Sequence, residues 1–150
     1  SLLMNKIIPI INENDAVSVD ESGRRSKFGE NDTLSAVVTE VTEADMLIIL
    51  SDIEGLYDAN PHTDADAKLI SYVNEVSDEI LAMAGGAGSV FSTGGMETKL
   101  NAAKRVMEND QAMVIASAEN PNIIFDIVDG KEVGTLFQKE QPELLTQGDD

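Results

Sequence analysis

Three groups of residues in this 150-residue chain have types and spacings that could do chemistry. The first lies behind apolar runs: Asn12, Asn14 and Asp15 follow Ile7 to Ile11, and Ser51 and Asp52 follow Met46 to Leu50. In open α/β sheets, ligands bind in the crevice beyond the C-terminal ends of the strands. Carboxamides and carboxylates placed there could hold an amino or hydroxyl group. Asn and Asp also terminate strands and cap helices, and spacing alone does not choose between the two roles. The second group is Thr93-Gly94-Gly95-Met96-Glu97-Thr98-Lys99, where a helical pattern begins. Paired glycines let backbone N–H groups face an anion, and a helix N-terminus adds a favourable dipole. Lys99 falls where that dipole disfavours a cation, an arrangement that makes sense if a phosphate offsets the field. The plainer reading is a turn followed by a solvated lysine. The spacing is neither that of a P-loop nor that of a dinucleotide fingerprint. The third group, Gly29-Glu30-Asn31-Asp32-Thr33, joins a turn glycine, two acids and an amide to a helix start, and Asp32 there is a good N-cap.

Other candidates are weaker. Asp64-Ala65-Asp66 resembles the first half of a calcium loop but lacks its glycine and terminal glutamate. The single histidine, His62, sits beside Pro61 in a polar stretch and reads as a solvated surface residue. The six methionines fall on apolar positions and read as core.

Elements must position these groups. Ile7 to Ile11, β-branched and broken by Pro9, reads as a buried strand. Residues 18–30 form a polar excursion with the character of a hairpin. Asp32-Thr33 then cap a helix carrying Leu34, Val37, Val38 and Val41. Met46 to Leu50 is a second buried strand, and 51–61 is a loop rich in turn formers. A helix is expected around Ser77 to Ala84, with Asp78 and Glu79 suited to its first turn. Met96 to Glu108 is a strong helix with Met96, Leu100, Ala103 and Met107 on one stripe. A third buried strand spans Ala112 to Ala116, a helix follows Pro121 over 121–129, and Val133 to Phe137 is a last short strand. Residues 138–150 read as a polar tail, so the ordered domain is expected to be 1–137. This order predicts helices covering a largely parallel sheet. Ser1-Leu2-Leu3-Met4 resembles the last turn of an amphipathic helix, so the chain is expected to be a piece of something longer.

Composition narrows the function. With 28 acidic and 10 basic side chains the formal net charge is −18, which argues against nucleic acid and anionic membrane as partners. The absence of cysteine excludes disulfides, iron–sulfur clusters and thiolate chemistry. No apolar run is long enough to span a bilayer, and the first residues lack signal-peptide features. A soluble, cytoplasmic, acidic α/β or α+β domain is the expectation.

Several stretches together carry a resemblance. They are Ile8-Pro9-Ile10-Ile11-Asn12-Glu13-Asn14-Asp15, Lys27-Phe28-Gly29-Glu30-Asn31-Asp32-Thr33-Leu34-Ser35-Ala36 and Leu50-Ser51-Asp52-Ile53-Glu54-Gly55-Leu56-Tyr57. Ala84-Gly85-Gly86-Ala87-Gly88-Ser89, the Thr93 to Lys99 segment and Val133-Gly134-Thr135-Leu136-Phe137 follow in the same order. The chain resembles the bacterial glutamate 5-kinases of the amino-acid kinase family from about Ile7 to Phe137. The resemblance implies a three-layer α/β/α sandwich with a mostly parallel sheet, and ATP-dependent phosphorylation of the side-chain carboxylate of L-glutamate. The product would be L-glutamyl 5-phosphate, at the start of proline biosynthesis. Asp15, Asn31 and Asn12 match the glutamate contacts, and Asp32 the acid that organises the catalytic lysines. Ser51, Asp52 and Thr93, Gly94, Gly95, Met96, Glu97, Thr98 and Lys99 match the nucleotide contacts, with Lys99 also at the transferring phosphoryl group. Magnesium would arrive on ATP rather than on protein ligands, L-proline is the implied feedback inhibitor, and the complete enzyme is expected to be a homo-oligomer. The family's first strand, with its lysine, glycine-rich turn and serine contact to glutamate, has no counterpart here, nor does the C-terminal appendage of many relatives. The chain therefore resembles the C-terminal, nucleotide-binding part of the kinase domain, expected to be inactive by itself. Asp20 to Ser26 also looks longer than the usual substrate loop. Kinases of aspartate, acetylglutamate, uridylate or carbamate are the alternatives within the superfamily, and a non-catalytic nucleotide-binding or regulatory module the alternative outside it.

Overall fold

The computed structural model describes residues 3–12, 30–85 and 95–140. After a short 3-10 turn at Leu3–Asn5 come helix α1 (Glu30–Val41), strand β1 (Met46–Ser51), strand β2 (Tyr72–Val73) and helix α2 (Asp78–Gly85). Helix α3 (Gly95–Glu108), strand β3 (Ala112–Ser117), helix α4 (Ile123–Val128) and strand β4 (Thr135–Phe137) complete the order. The sheet runs β1-β3-β4-β2. Strands β1 and β3 are parallel, with Met46 opposite Ala112 and Ser51 opposite Ser117. Strands β2 and β4 are also parallel, while β3 and β4 are antiparallel, with Ile115 opposite Thr135.

Alternation along the strands builds two cores. Ile49, Met113, Ile115, Val73 and Phe137 face α1, α2 and α3, whose Ala36, Ala84, Leu100, Ala103 and Val106 close that side. Val114 and Ala116 face the other way, onto Ile127 of α4. Helices thus cover both faces of a mostly parallel sheet. Strand β3 lies between two others with helices on both sides, which is why Ala112 to Ala116 is apolar at every position and buried throughout. Helix α3 buries the whole predicted stripe of Met96, Leu100, Ala103 and Met107. Helix α1 is rich in β-branched residues, which are mediocre helix formers. Its packing compensates: Ala36 and Thr39 are buried, and the Ser35 and Thr39 hydroxyls donate to the carbonyls of Asn31 and Ser35, both at 2.7 Å.

Five expectations change. Ile7 to Ile11 is not a buried strand: Ile8 and Ile10 are 88% and 97% exposed, and the stretch carries no strand. An apolar pattern states a demand for burial but cannot supply the neighbouring strand, and none pairs with it among the described residues. Helix α1 begins at Glu30, so Asp32 lies inside its first turn instead of capping it. Strand β2, only two residues long, is too short to leave a periodic signal. Only Met96, Met107 and Met113 of the methionines are core, while Met4 is 85% exposed and Met46 and Met83 lie at edges. The start of the expected polar tail is tied down: the Gln138 N–H donates to the Val73 carbonyl at 3.1 Å, and Asn74 donates to Glu140 at 3.2 Å.

Candidate active site

Helices α1 and α3 pack side by side and run in the same direction. Asp32, near the start of α1, meets Thr98 and Lys99 near the start of α3, whereas Glu40, a little over two turns further along, meets Arg105. Each helix leads by a turn into a strand that returns, α1 into β1 and α3 into β3. Two helix N-termini and the C-terminal ends of β1 and β3 therefore share one edge of the molecule, where the partial positive charge of the helix starts meets the strand ends.

At that edge the Lys99 ammonium donates to Asp32 Oδ2 at 3.1 Å. The Thr98 hydroxyl lies 3.0 Å from the same oxygen and 2.9 Å from the Gly95 carbonyl. The Lys99 and Asp32 side chains keep only 15% and 14% of their surface exposed, so Lys99 is not a solvated lysine. Its position opposes the α3 dipole, and Asp32, itself favoured in the first turn of α1, supplies the compensating charge. The pair offers a sheltered, oriented cation beside two helix starts.

Ser51 ends β1, is buried, and donates its hydroxyl to Asp52 Oδ1 at 3.0 Å, while its carbonyl accepts from the Ala118 N–H at 2.7 Å. Asp52 is exposed at the same edge, as is Asn31 at the start of α1. Gly95, Met96 and Glu97 form the first turn of α3, with Met96 turned into the core at 4% exposure. Asn12 is exposed at the end of the Ile7–Ile11 stretch, and no hydrogen bond among the described residues joins it to the Asp32–Lys99 group. Asp15, Thr93 and Gly94 lie outside the described residues, as do the 18–29 excursion and 141–150.

Two residues gain a place that the sequence did not assign them. Ser117 ends β3 in register with Ser51, and its Oγ accepts from the Glu119 N–H at 3.2 Å. Its signal was available, since it follows the third apolar run as Ser51 follows the second. Thr135 is fully buried in β4 and bonds to two distant backbone groups. Asp64-Ala65-Asp66 forms a turn in which the Asp64 carboxylate accepts from the Asp66 N–H at 2.9 Å. The Tyr57 hydroxyl donates to Glu54 at 2.7 Å, and that bond, then burial and the charge of Glu54, push its pKa up.

The model of the amino acid kinase family matches residues 1–117, from the first residue to the end of β3. The chain belongs to the amino acid kinase family. It is 52% identical over 144 residues to glutamate 5-kinase of Listeria monocytogenes, a match covering 96% of this chain and 52% of that protein. It is 55% identical over 141 residues to glutamate 5-kinase of Streptococcus uberis, covering 94% of this chain and 52% of that one. The chain thus spans about half the length of the curated relatives it matches. Among solved structures, carbamate kinase from Giardia lamblia bound to AMP-PNP superposes with a TM-score of 0.56 at 22% identity, over 74% of this chain and 36% of that one. UMP kinase from Bacillus anthracis gives 0.55 at 15% identity, over 75% and 44%. At these identities the likeness establishes the fold alone, a mostly parallel sheet flanked by helices. No helix among the described residues is long and apolar enough to cross a membrane.

Proposed function

We propose that this chain is the nucleotide-binding part of a cytoplasmic enzyme that phosphorylates the side-chain carboxylate of L-glutamate with ATP, the first step of proline biosynthesis. The observation that carries the reading is the Lys99–Asp32 pair with Thr98, set beside two helix starts. Identity of about half to glutamate 5-kinases over nearly the whole chain supports glutamate as the acceptor.

In the proposed reaction an oxygen of the ionised carboxylate attacks the γ-phosphorus while the bond to the β,γ-bridging oxygen breaks, giving L-glutamyl 5-phosphate and ADP. The nucleophile is already an anion, so no general base is needed. The protein's task is then to align the two substrates and neutralise charge on the equatorial oxygens. Lys99 faces the transferring phosphoryl group, Asp32 holds its ammonium in place, and Thr98 orients Asp32. Backbone N–H groups from Thr93 to Lys99, with Ser51 and Asp52, hold the nucleotide. Asp15, Asn31 and Asn12 accept from the ammonium of glutamate, since carboxylate and amide carbonyl oxygens are both acceptors. Magnesium would be held chiefly by the ATP phosphates, as is usual for a cation that keeps octahedral geometry with few protein ligands, and would supply further neutralisation of phosphate charge. L-proline as a feedback inhibitor and a homo-oligomeric complete enzyme belong to the same proposal.

The test is an acceptor survey on an enzyme of full family length carrying this sequence. Acceptor-dependent formation of ADP from ATP should appear with glutamate and stay near background with aspartate, acetylglutamate, UMP and carbamate. A preference for any of these would move the protein to another branch of the family. Nucleotide binding without turnover on any acceptor would make it a regulatory module.

A further inference from the structure

The motif Val133-Gly134-Thr135-Leu136-Phe137 has no role in the chemistry above, yet it holds the most tightly enclosed hydroxyl of the described residues. Thr135 is 0% exposed. Its Oγ1 accepts from the Leu56 N–H at 2.9 Å and donates to the Ile70 carbonyl at 2.7 Å. Leu56 and Ile70 are themselves joined, the Ile70 N–H donating to the Leu56 carbonyl at 2.8 Å, and Tyr57 bridges Leu69 one residue further out. These contacts form the neck of a hairpin over 56–70. We propose that Thr135 is a positioning residue for the nucleotide loop, stapling this neck to the sheet so that Asp52 to Gly55 hangs between two fixed points. This rests on the reading of Ser51 and Asp52 as nucleotide contacts.

Both anchors are visible. Ser51 is fixed in β1 and through its bond to Ala118, and Leu56, only 3% exposed, is fixed by Thr135. Four residues span the interval, too few to wander when both ends are held. The loop also passes directly against the staple. A Cβ added to Gly55 would lie 2.5 Å from Thr135 Oγ1 and 2.9 Å from Leu69 Cδ1, so only glycine allows the approach. Gly134 has φ +64 and packs on the Ile115 carbonyl, which seats Thr135 at the correct height in β4. A buried N–H and C=O left without partners are costly, so removing this hydroxyl should release the loop to seek water.

The experiment uses the full-length enzyme with Thr135→Val, which keeps the shape and deletes both bonds, and Thr135→Ser, which keeps the hydroxyl. Thr135→Val should raise the KM for ATP about tenfold or more, the scale expected for orphaned buried groups, with the KM for glutamate changed less than about twofold. Amide exchange should accelerate at Leu56, Asp58 and Ile70 while α3 and β3 keep their protection. Thr135→Ser should match wild type in both readouts. Should Thr135→Val fail to fold, Gly55→Ala, which displaces the loop from the other side, must give the same selective rise and local exchange. Unchanged exchange at the neck, or equal rises in both KM values with protection lost throughout, would overturn the proposal. Local loosening in an enzyme whose wild type does not use ATP would uphold the staple and overturn the kinase reading instead.

Discussion

The same two helices carry two ion pairs, and the two differ in how far water reaches them. Arg105 donates to Glu40 from two nitrogens, at 2.8 and 3.1 Å, but the partners are 47% and 41% exposed. Lys99 reaches Asp32 with one contact at 3.1 Å, and the partners are 15% and 14% exposed. Geometry alone would rank the first pair higher. Solvent reverses the ranking, because water screens the exposed pair and hardly reaches the sheltered one. Arg105 also sits in the last turn of α3, where the dipole welcomes a cation, whereas Lys99 sits near its start, where a cation is opposed. A lysine in that costly place with a sheltered partner is what the proposed role at the phosphoryl group requires.

The sharpest break in that contrast is Asp32→Asn. It leaves Lys99 sheltered, facing a helix start, with no counter-charge. Turnover should fall on the order of a hundredfold, as for other lost electrostatic groups, and urea unfolding should show a loss of about 2 kcal/mol, below the full penalty of a buried pair because some solvent reaches it. Intact stability would mean that Asp32 does not hold the lysine. At the other end of the interface, Arg105→Ala should cost less than about 1 kcal/mol and leave turnover unchanged. A larger loss of stability would show that the exposed pair is the main lock between the helices. The smallest effect belongs to the hairpin neck. The Tyr57 pKa is raised in the folded state, so the Tyr57–Glu54 bond contributes fully below the ordinary tyrosine pKa near 10 and is lost as pH rises through the raised value. Absorbance titration of a Tyr72→Phe variant should place Tyr57 above that ordinary value, and Glu54→Gln should bring it back down.

What could be read beforehand follows the same division between local and distant causes. The stripe on α3 and the apolar run of β3 report their own burial, because helix and strand periodicity are written in neighbouring residues. The first turn of α2, with Asp78 and Glu79, was legible for the same reason. Ile7 to Ile11 was misread because a strand exists only with a partner, and partners are not neighbours in sequence. Asp32 looked like a cap since its local pattern is that of a cap; its engagement with Thr98 and Lys99, 66 and 67 residues away, needed the packing of two helices. Thr135 stood in a quoted motif, but its bonding was not legible for a similar reason, its Leu56 partner lying 79 residues back. The Thr93 to Lys99 segment reads as an anion site from its own residues, whereas the partner of its lysine, Asp32, was indicated only by the resemblance, which made that acid the organiser of the catalytic lysines.

If Lys99 is held for a phosphoryl group and not for the fold, Lys99→Met separates the two roles. The substitution keeps the aliphatic stem, and Asp32 keeps both the Thr98 hydroxyl and the favourable start of α1. In an enzyme of full family length, kcat and the melting temperature should be measured together on the same preparation. The kcat should fall by about a hundredfold or more, with a Tm near wild type. Turnover within a few-fold of wild type, or a fall in kcat matched by collapse of the Tm, would contradict it.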